Sequence, residues 1–260
     1  MKDPYLFEDK KIIKNIANIK DQKKLDDYET TMVNLGIIKL IKENCSIVKV
    51  KDICIIHKVL FENVYEWAGK YRIINIYKNE PVLNGLSVEY SNYRDIDNEL
   101  EQIQSKIDSI NWKELSKNEM IYQVTRIIAN IWQVHSFREG NTRVVSLFLY
   151  FFLKNIGFKV NNEFIGKHAK YFRNALVLSS IGEYSEYNYL EEILKDSVSF
   201  KNLNSTDENK YQTIRGYNLE KYEYNYHSSR RNNLNLEKLQ ISFVKKNYDH
   251  INLWPFLKYF

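Results

Sequence analysis

The sequence predicts an all-α, mostly helical fold with one short β-hairpin and a C-terminal extension. Three observations predict it. Of 260 residues only 8 are glycine and 3 are proline, too few for the many tight turns of an all-β chain. The hydrophobic fraction is 44%, enough to build a packed core and too high for global disorder. Apolar residues recur at three- and four-residue spacing along most of the chain.

Element by element, Ile12, Ile13, Ile16 and Ile19 fall at helical spacing, and Leu25, Tyr28, Met32, Leu35, Ile38 and Ile41 continue the pattern. Asp52 stands where a helix cap is expected, ahead of Ile53, Ile56, Val59, Leu60 and Val64. The pattern then changes. Residues 71–90 are β-branched and aromatic, contain Pro81, and carry the turn signal Asn84-Gly85, so they read as a β-hairpin. Helical periodicity resumes with Ile96, Leu100, Ile103 and Ile107, then with Ile121, Val124, Ile128 and Ile131, then from Val144 to Phe152. A last helix pair is expected over about 162–179 and 187–198. The stretch "KNLNSTDENKYQ", rich in Asn, Ser and Asp, reads as a linker, which divides the chain into a helical domain over 1–200 and an extension over 201–260.

Charge and composition narrow the function. The formal net charge is +5, too small to imply nucleic acid on its own. Residues 201–260 hold 10 Lys/Arg against 6 Asp/Glu, so most of the excess sits in the extension. Its tyrosines and Arg230-Arg231 fit a helical module packed on the core better than a nucleic-acid surface. Cys45 and Cys54 form no metal-ligand spacing and read as reduced thiols of a cytoplasm. The opening "MKDPYLFEDKK" has no apolar run of the kind a signal peptide needs, and no stretch approaches a membrane span of about 18–20 apolar residues.

The most informative segment is "HSFREGNTR", residues 135–143, set between two strongly apolar runs. The turn after Val134 offers successive N–H groups from Arg138 to Asn141, and Gly140 is free to adopt a left-handed conformation. A helix N-terminus follows, with unpaired N–H groups and partial positive charge, and together these form an anion-binding nest. Arg143 adds a guanidinium able to clamp phosphate. Glu139 is an oxygen ligand suited to Mg²⁺, which takes one or two carboxylates and completes its shell with substrate phosphates. His135 stands at the lip as a base for a hydroxyl attacking phosphorus. Nest, arginine, carboxylate and base are the parts of a phosphoryl- or nucleotidyl-transfer site.

These residues resemble the signature of the Fic (Fido) family, His-x-Phe-x-(Asp/Glu)-Gly-Asn-x-Arg-x-x-Arg, matched here by His135, Phe137, Glu139, Gly140, Asn141 and Arg143. The segments "HKVLFENVYEWAGKYRIINI" and "RNALVLSSIGEYSEYNYLEEIL" resemble the family's approach to its flap and its closing helices, so the resemblance covers about residues 10–200. It implies a helical core with a hairpin flap, ATP and Mg²⁺ as cofactors, and transfer of AMP to a Ser, Thr or Tyr hydroxyl of a protein substrate. It implies that His135 is the catalytic base and that Phe137, Arg138, Glu139, Gly140, Asn141, Thr142 and Arg143 make up the nucleotide loop. Within that loop Phe137 anchors, Glu139 holds the metal, Gly140 and its neighbours form the anion hole, Asn141 supports phosphates and Arg143 binds one. It further implies that Ile73, Ile74, Asn75, Ile76 and Tyr77 dock the target chain by strand pairing, and that the protein works in a bacterial cytoplasm or is delivered into another cell.

Two positions depart from the pattern. Ser136 stands where proline is common, with little consequence expected. Ser146 replaces the last arginine, which in the family contacts the γ-phosphate; serine lacks that charge. Either another cation compensates or the nucleotide is oriented differently, as in the Doc toxins, which transfer phosphate. The Glu-Gly pair favours AMP transfer. The family's inhibitory signature, (Ser/Thr)-x-x-x-Glu-(Gly/Asn), is not matched: Glu43, Glu62 and Glu208 are each followed by Asn, but Lys39, Lys58 and Asn204 precede them by four residues. Control by a separate antitoxin-like protein or by homo-oligomerisation is the expectation that follows, the alternatives being no control or a scaffold without chemistry.

Overall fold

In the computed structural model, described over residues 3–8, 11–43, 45–199 and 219, the long apolar periodicities become eight helices among the described residues. They are α1 (Gln22–Lys42), α2 (Ile53–Phe61), α3 (Ile96–Asp108), α4 (Lys117–Val134), α5 (Asn141–Asn155), α6 (Asn162–Lys167), α7 (Ala169–Leu178) and α8 (Asn188–Ser197). Helix α4 is central and packs against α3, α5, α7 and α8. Its start is fixed by a capping box in which Ser116 and Glu119 each accept the other's backbone N–H. Ile121, Val124, Ile128 and Ile131 are buried along it. Helix α5 is apolar almost all round, as a helix enclosed on every side must be, with Val144, Leu147, Phe148, Phe151 and Phe152 all buried. Each such side chain contributes about 1.5–3 kcal/mol. Helix α1 lies hard against α2 at Gly36, where an added Cβ would sit 2.7 Å from the Val59 carbonyl oxygen.

Four expectations change. Residues 12–19 are not helical: the Asn15 side chain donates to the carbonyls of Ile13 and Ile19 and accepts the Ile19 N–H, a local closure that competes with helix formation. Asp52 occupies the N-cap position of α2 but makes no side-chain cap bond to it; its carboxylate accepts the N–H groups of Val48 and Lys49, both at 2.7 Å, around the 3-10 turn Val50–Asp52 that leads into it. The segment expected as one helix over 162–179 breaks at His168 (φ −112°, ψ 27°) into α6 and α7. The hairpin over 71–90 forms no strand ladder. Its turn is a 3-10 turn at Pro81–Leu83 closed by Glu80 N–H to Leu86 O, with Asn84 left-handed. Proline removes a ladder donor there, and the Lys78 N–H is taken by the Ser87 hydroxyl. The strand pair among the described residues lies elsewhere, where β1 (Lys159–Val160) runs antiparallel to β2 (Val198–Ser199). No helix among the described residues is long and apolar enough to cross a membrane. The linker and nearly all of the extension lie outside the described residues.

Candidate active site

The site is built at the break between α4 and α5. Helix α4 stops because His135 takes a left-handed backbone (φ 49°), and α5 starts from Gly140, also left-handed (φ 81°). Glycine is required there on two counts: its φ, and an added Cβ would lie 2.5 Å from Cε2 of Phe61. Between the two turns the loop is held from within. Asn141 donates to the Phe137 carbonyl (2.7 Å) and accepts the Phe137 N–H (2.9 Å). The buried Phe137 ring stacks on His57 of α2, centroids 3.9 Å apart. His57 Nδ1 accepts the Gly69 N–H, which leaves its Nε2–H facing the Glu139 carbonyl at 3.3 Å. Burial pushes the His57 pKa down to about 3, so it is neutral at physiological pH.

His135 is 3% exposed, with its ring against Tyr90 (centroids 4.0 Å apart) and edge-on to Trp132. Its Nδ1 lies 3.2 Å from the Trp132 carbonyl, a geometry that puts the proton on Nδ1 and the lone pair on Nε2. Nε2 has no hydrogen-bond partner among the described residues. Burial, then the charges of Lys78, Arg72 and Arg173, hold its pKa well below the ordinary histidine value. The buried guanidinium of Arg72 fixes the turn from outside: it donates to the carbonyls of His135 (2.8 Å), Ile74 (2.7 Å) and Val134 (3.3 Å), and to that of Ser91.

A cleft of about 180 Å³ opens over this loop. It is lined by Lys78, Trp132, His135, Glu139, Gly140, Asn141, Thr142, Arg143 and Arg173. The first helical bond of α5 runs from Val144 N–H to Gly140 O, so the N–H groups of Asn141, Thr142 and Arg143 have no intrahelical acceptor. Glu139 lies 3.2 Å from Lys78 Nζ and accepts the Gly140 N–H. Burial alone would raise its carboxyl; the charges of Lys78 and Arg143 and the Gly140 N–H outweigh this and bring it down to about 2. Among the described residues no cluster of three or more His, Cys, Asp or Glu could cage a metal. A single ionised carboxylate beside a phosphate-sized nest is the donor set that suits Mg²⁺ arriving with a nucleotide.

Residues 47–153 match the Fic/DOC family. The matched span contains the whole loop 135–143. It is 27% identical over 161 residues to the protein adenylyltransferase VbhT of Bartonella schoenbuchensis, covering 61% of this chain and 32% of that one. It is 27% identical over 186 residues to the probable protein adenylyltransferase y4lH of Sinorhizobium fredii, covering 70% and 91%. The chain thus spans about a third of the first relative's length and most of the second's. The fold resembles the solved structure of BepC of Bartonella tribocorum with bound AMPPNP, at TM-score 0.65 and 22% identity, covering 76% of this chain and 97% of that one. A Fic domain of Bartonella quintana with bound ADP gives 0.64 and 18%, covering 76% and 95%.

Within the Fic loop, His135, Glu139, Gly140, Asn141, Thr142 and Arg143 line one cleft, while Phe137 is buried beneath it and Arg138 turns away to pair with Asp3 at 2.9 Å. The Asn141 side chain is spent on Phe137, so Asn141 faces the cleft with its N–H. Arg143 donates to Glu29 of α1 (2.5 Å) and lies over the Phe61 ring; Glu29 also accepts the Tyr65 hydroxyl. In the segment 73–77, Ile73, Asn75 and Tyr77 are exposed and alternate with half-buried Ile74 and Ile76, without a ladder. Sequence reasoning missed Glu29, His57, Arg72, Lys78 and Arg173. Of these, His57 carries a signal: with Lys58 it interrupts the apolar run "ICIIHKVLF", at a position in register with Ile53 and Leu60 on the buried face.

Proposed function

We propose that this protein transfers AMP from ATP to a hydroxyl of a target protein. The observation that carries the reading is the bare, buried Nε2 of His135, unprotonated and facing a cleft floored by the N–H groups of Asn141–Arg143. In this reading the α-phosphate rests on those N–H groups and on Arg143, whose five-donor fork can keep Glu29 and still meet a phosphate. The target hydroxyl attacks the α-phosphorus, its proton passes to His135 Nε2, and the bond to the β-phosphate breaks to release pyrophosphate. Trp132 O holds the Nδ1 proton and so keeps Nε2 free as acceptor. Glu139, ionised and at the edge of the nest, would hold Mg²⁺, whose charge would offset that of the phosphates; Lys78 would give up its present contact with Glu139. The unladdered segment 73–77 would register the target chain by main-chain pairing.

Ser146 favours a second reading, phosphate transfer with the nucleotide reversed, because the charge that orients the triphosphate is absent from that position. Incubation with Mg²⁺-ATP and cytosolic extract, beside a His135→Ala control, separates the two by intact mass. An adenylyl increment lost in the control is expected. A phosphoryl increment selects the reversed nucleotide, and ATP binding without any increment rejects both transfer readings.

A further inference from the structure

We propose that Arg173 of α7 supplies the cation that the motif lacks at Ser146, and that it binds the β- and γ-phosphates of ATP; the inference rests on the AMP-transfer reading. Ser146 itself is in no position to do so. It is 7% exposed, its hydroxyl donates to the Thr142 carbonyl at 2.9 Å, and it does not line the cleft. Arg173 does line it, together with His135, Glu139 and the opening turn of α5, although it comes from a helix 27 positions further along the chain than Ser146 (173 − 146). Its charge is felt at the reaction centre, where it is one of the three cations that disfavour protonation of His135.

What holds Arg173 in place is built, not incidental. Its Nη2 lies 2.7 Å from Oε2 of Glu80, a carboxylate with 0% side-chain exposure. The other Glu80 oxygen accepts the Tyr90 hydroxyl at 3.0 Å, and Tyr90 is the residue that packs on the His135 ring. The Glu80 contact is an ion pair without hydrogen-bond alignment, so the guanidinium keeps N–H groups for another acceptor. Glu80 is not among the residues lining the cleft, whereas the partner of the other cation from outside the motif, Lys78, is the metal-binding Glu139 itself. Metal binding therefore engages the carboxylate that now occupies Lys78 and leaves the Arg173 anchorage untouched. A planar fork suits two phosphate oxygens at once, which serine cannot match and lysine matches poorly. Arg143 from α5 and Arg173 from α7 would then grip the two parts of the triphosphate, the part that is transferred and the part that leaves.

The test is to titrate Mg²⁺-ATP and, separately, AMP into the wild-type chain and Arg173→Gln by calorimetry. AMP has only the phosphate assigned to the nest. ATP affinity is expected to fall at least tenfold in the variant, with AMP affinity changed less than twofold. Adding Ser146→Arg to the variant is expected to recover part of the ATP loss. Unchanged ATP affinity overturns the proposal, and so does an equal loss for both nucleotides, the mark of a residue that only supports Glu80. Arg173→Met, which keeps the aliphatic stem, is the second variant if the glutamine does not fold, with the same expectations. The two readings fail differently: a wild-type chain that binds ATP but modifies no protein sinks AMP transfer, and one that binds no ATP sinks both.

Discussion

The loop 135–143 and the segment 73–90 face each other across one cleft and are built on opposite terms. In the loop, polar groups are answered within the protein: Asn141 bonds Phe137 twice, His57 carries Phe137 and the Glu139 carbonyl, and Arg72 takes the carbonyls of Val134 and His135. Groups left unanswered are His135 Nε2, the Ser136 hydroxyl and the first N–H groups of α5, and the first and last of these are the ones the proposed chemistry uses. The stretch 73–77 of the facing segment alternates exposed and half-buried residues, with Ile73 at 62% and Tyr77 at 68%, and forms no ladder. The difference teaches a division of labour. Chemistry needs atoms fixed to a fraction of an ångström, so its loop is over-determined. Recognition of another chain needs main-chain groups left to be completed by that chain.

The comparison can be broken most sharply at His135. His135→Ala is expected to lower AMP transfer by about 10²–10⁴-fold, the usual worth of a general base, in a protein that still folds; intact-mass kinetics against the wild type measures it. Next comes Arg72, which ties the two regions by donating to His135 O on one side and to Ile74 O and Ser91 O on the other. Arg72→Met strands several buried acceptors and is expected to cost about 3–5 kcal/mol in urea unfolding. A loss under about 1 kcal/mol would mean that the loop and the segment 73–90 are held independently.

Acid is the third lever. His57, pushed down to about 3, and His135, held well below its ordinary value, are neutral in the folded protein. The unfolded chain protonates them near 6.5, so it binds more protons than the native state below that pH. Their contribution is intact above about 6.5 and fades as pH falls towards the folded values, at about 1.4 kcal/mol per pH unit for each histidine. Unfolding free energies from pH 7 to 5 measure it, and a flat profile would contradict neutral burial. Over the same range the fraction of His135 available as base should not fall, so kcat/KM should show no acid limb near 6.5. The smallest effect belongs to the exposed edge. Ile73→Ala and Tyr77→Ala should leave stability within about 0.5 kcal/mol and ATP affinity unaltered, while kcat/KM for the protein target falls severalfold; an unaffected kcat/KM would remove the edge from target recognition.

What was legible in the sequence is what lies close together along it. His135 to Arg143 share one loop, and α4 and α5 announce themselves by long apolar periodicity, so both the motif and its frame could be read directly. Glu29, His57, Lys78 and Arg173 come from four other places in the chain, and apart from His57 each reads alone as an ordinary surface charge. Their roles exist only once α1, α2, the segment 73–90 and α7 are packed around the loop. Local chemistry misled twice. The isoleucines of 12–19 have helical spacing, but the Asn15 side chain closes the backbone into a turn. The alternation over 73–77 is that of a strand, yet no ladder forms: Arg72 takes the Ile74 carbonyl and Ser87 takes the Lys78 N–H.

The left-handed backbone of His135 bears on how the protein is best switched off at the bench. Alanine in that conformation carries a strain of about 1–2 kcal/mol that histidine shares but offsets here through its ring contacts with Tyr90 and Trp132 and its Nδ1 bond. Truncation at this position therefore removes a proton acceptor and loosens the hinge between α4 and α5 at once. Asparagine, which tolerates the left-handed region better than most residues, removes the base with less strain in the turn. A comparator carrying His135→Asn is the cleaner silent enzyme, and the gap between it and His135→Ala reads out how much the shape of the turn, apart from its chemistry, matters to holding nucleotide.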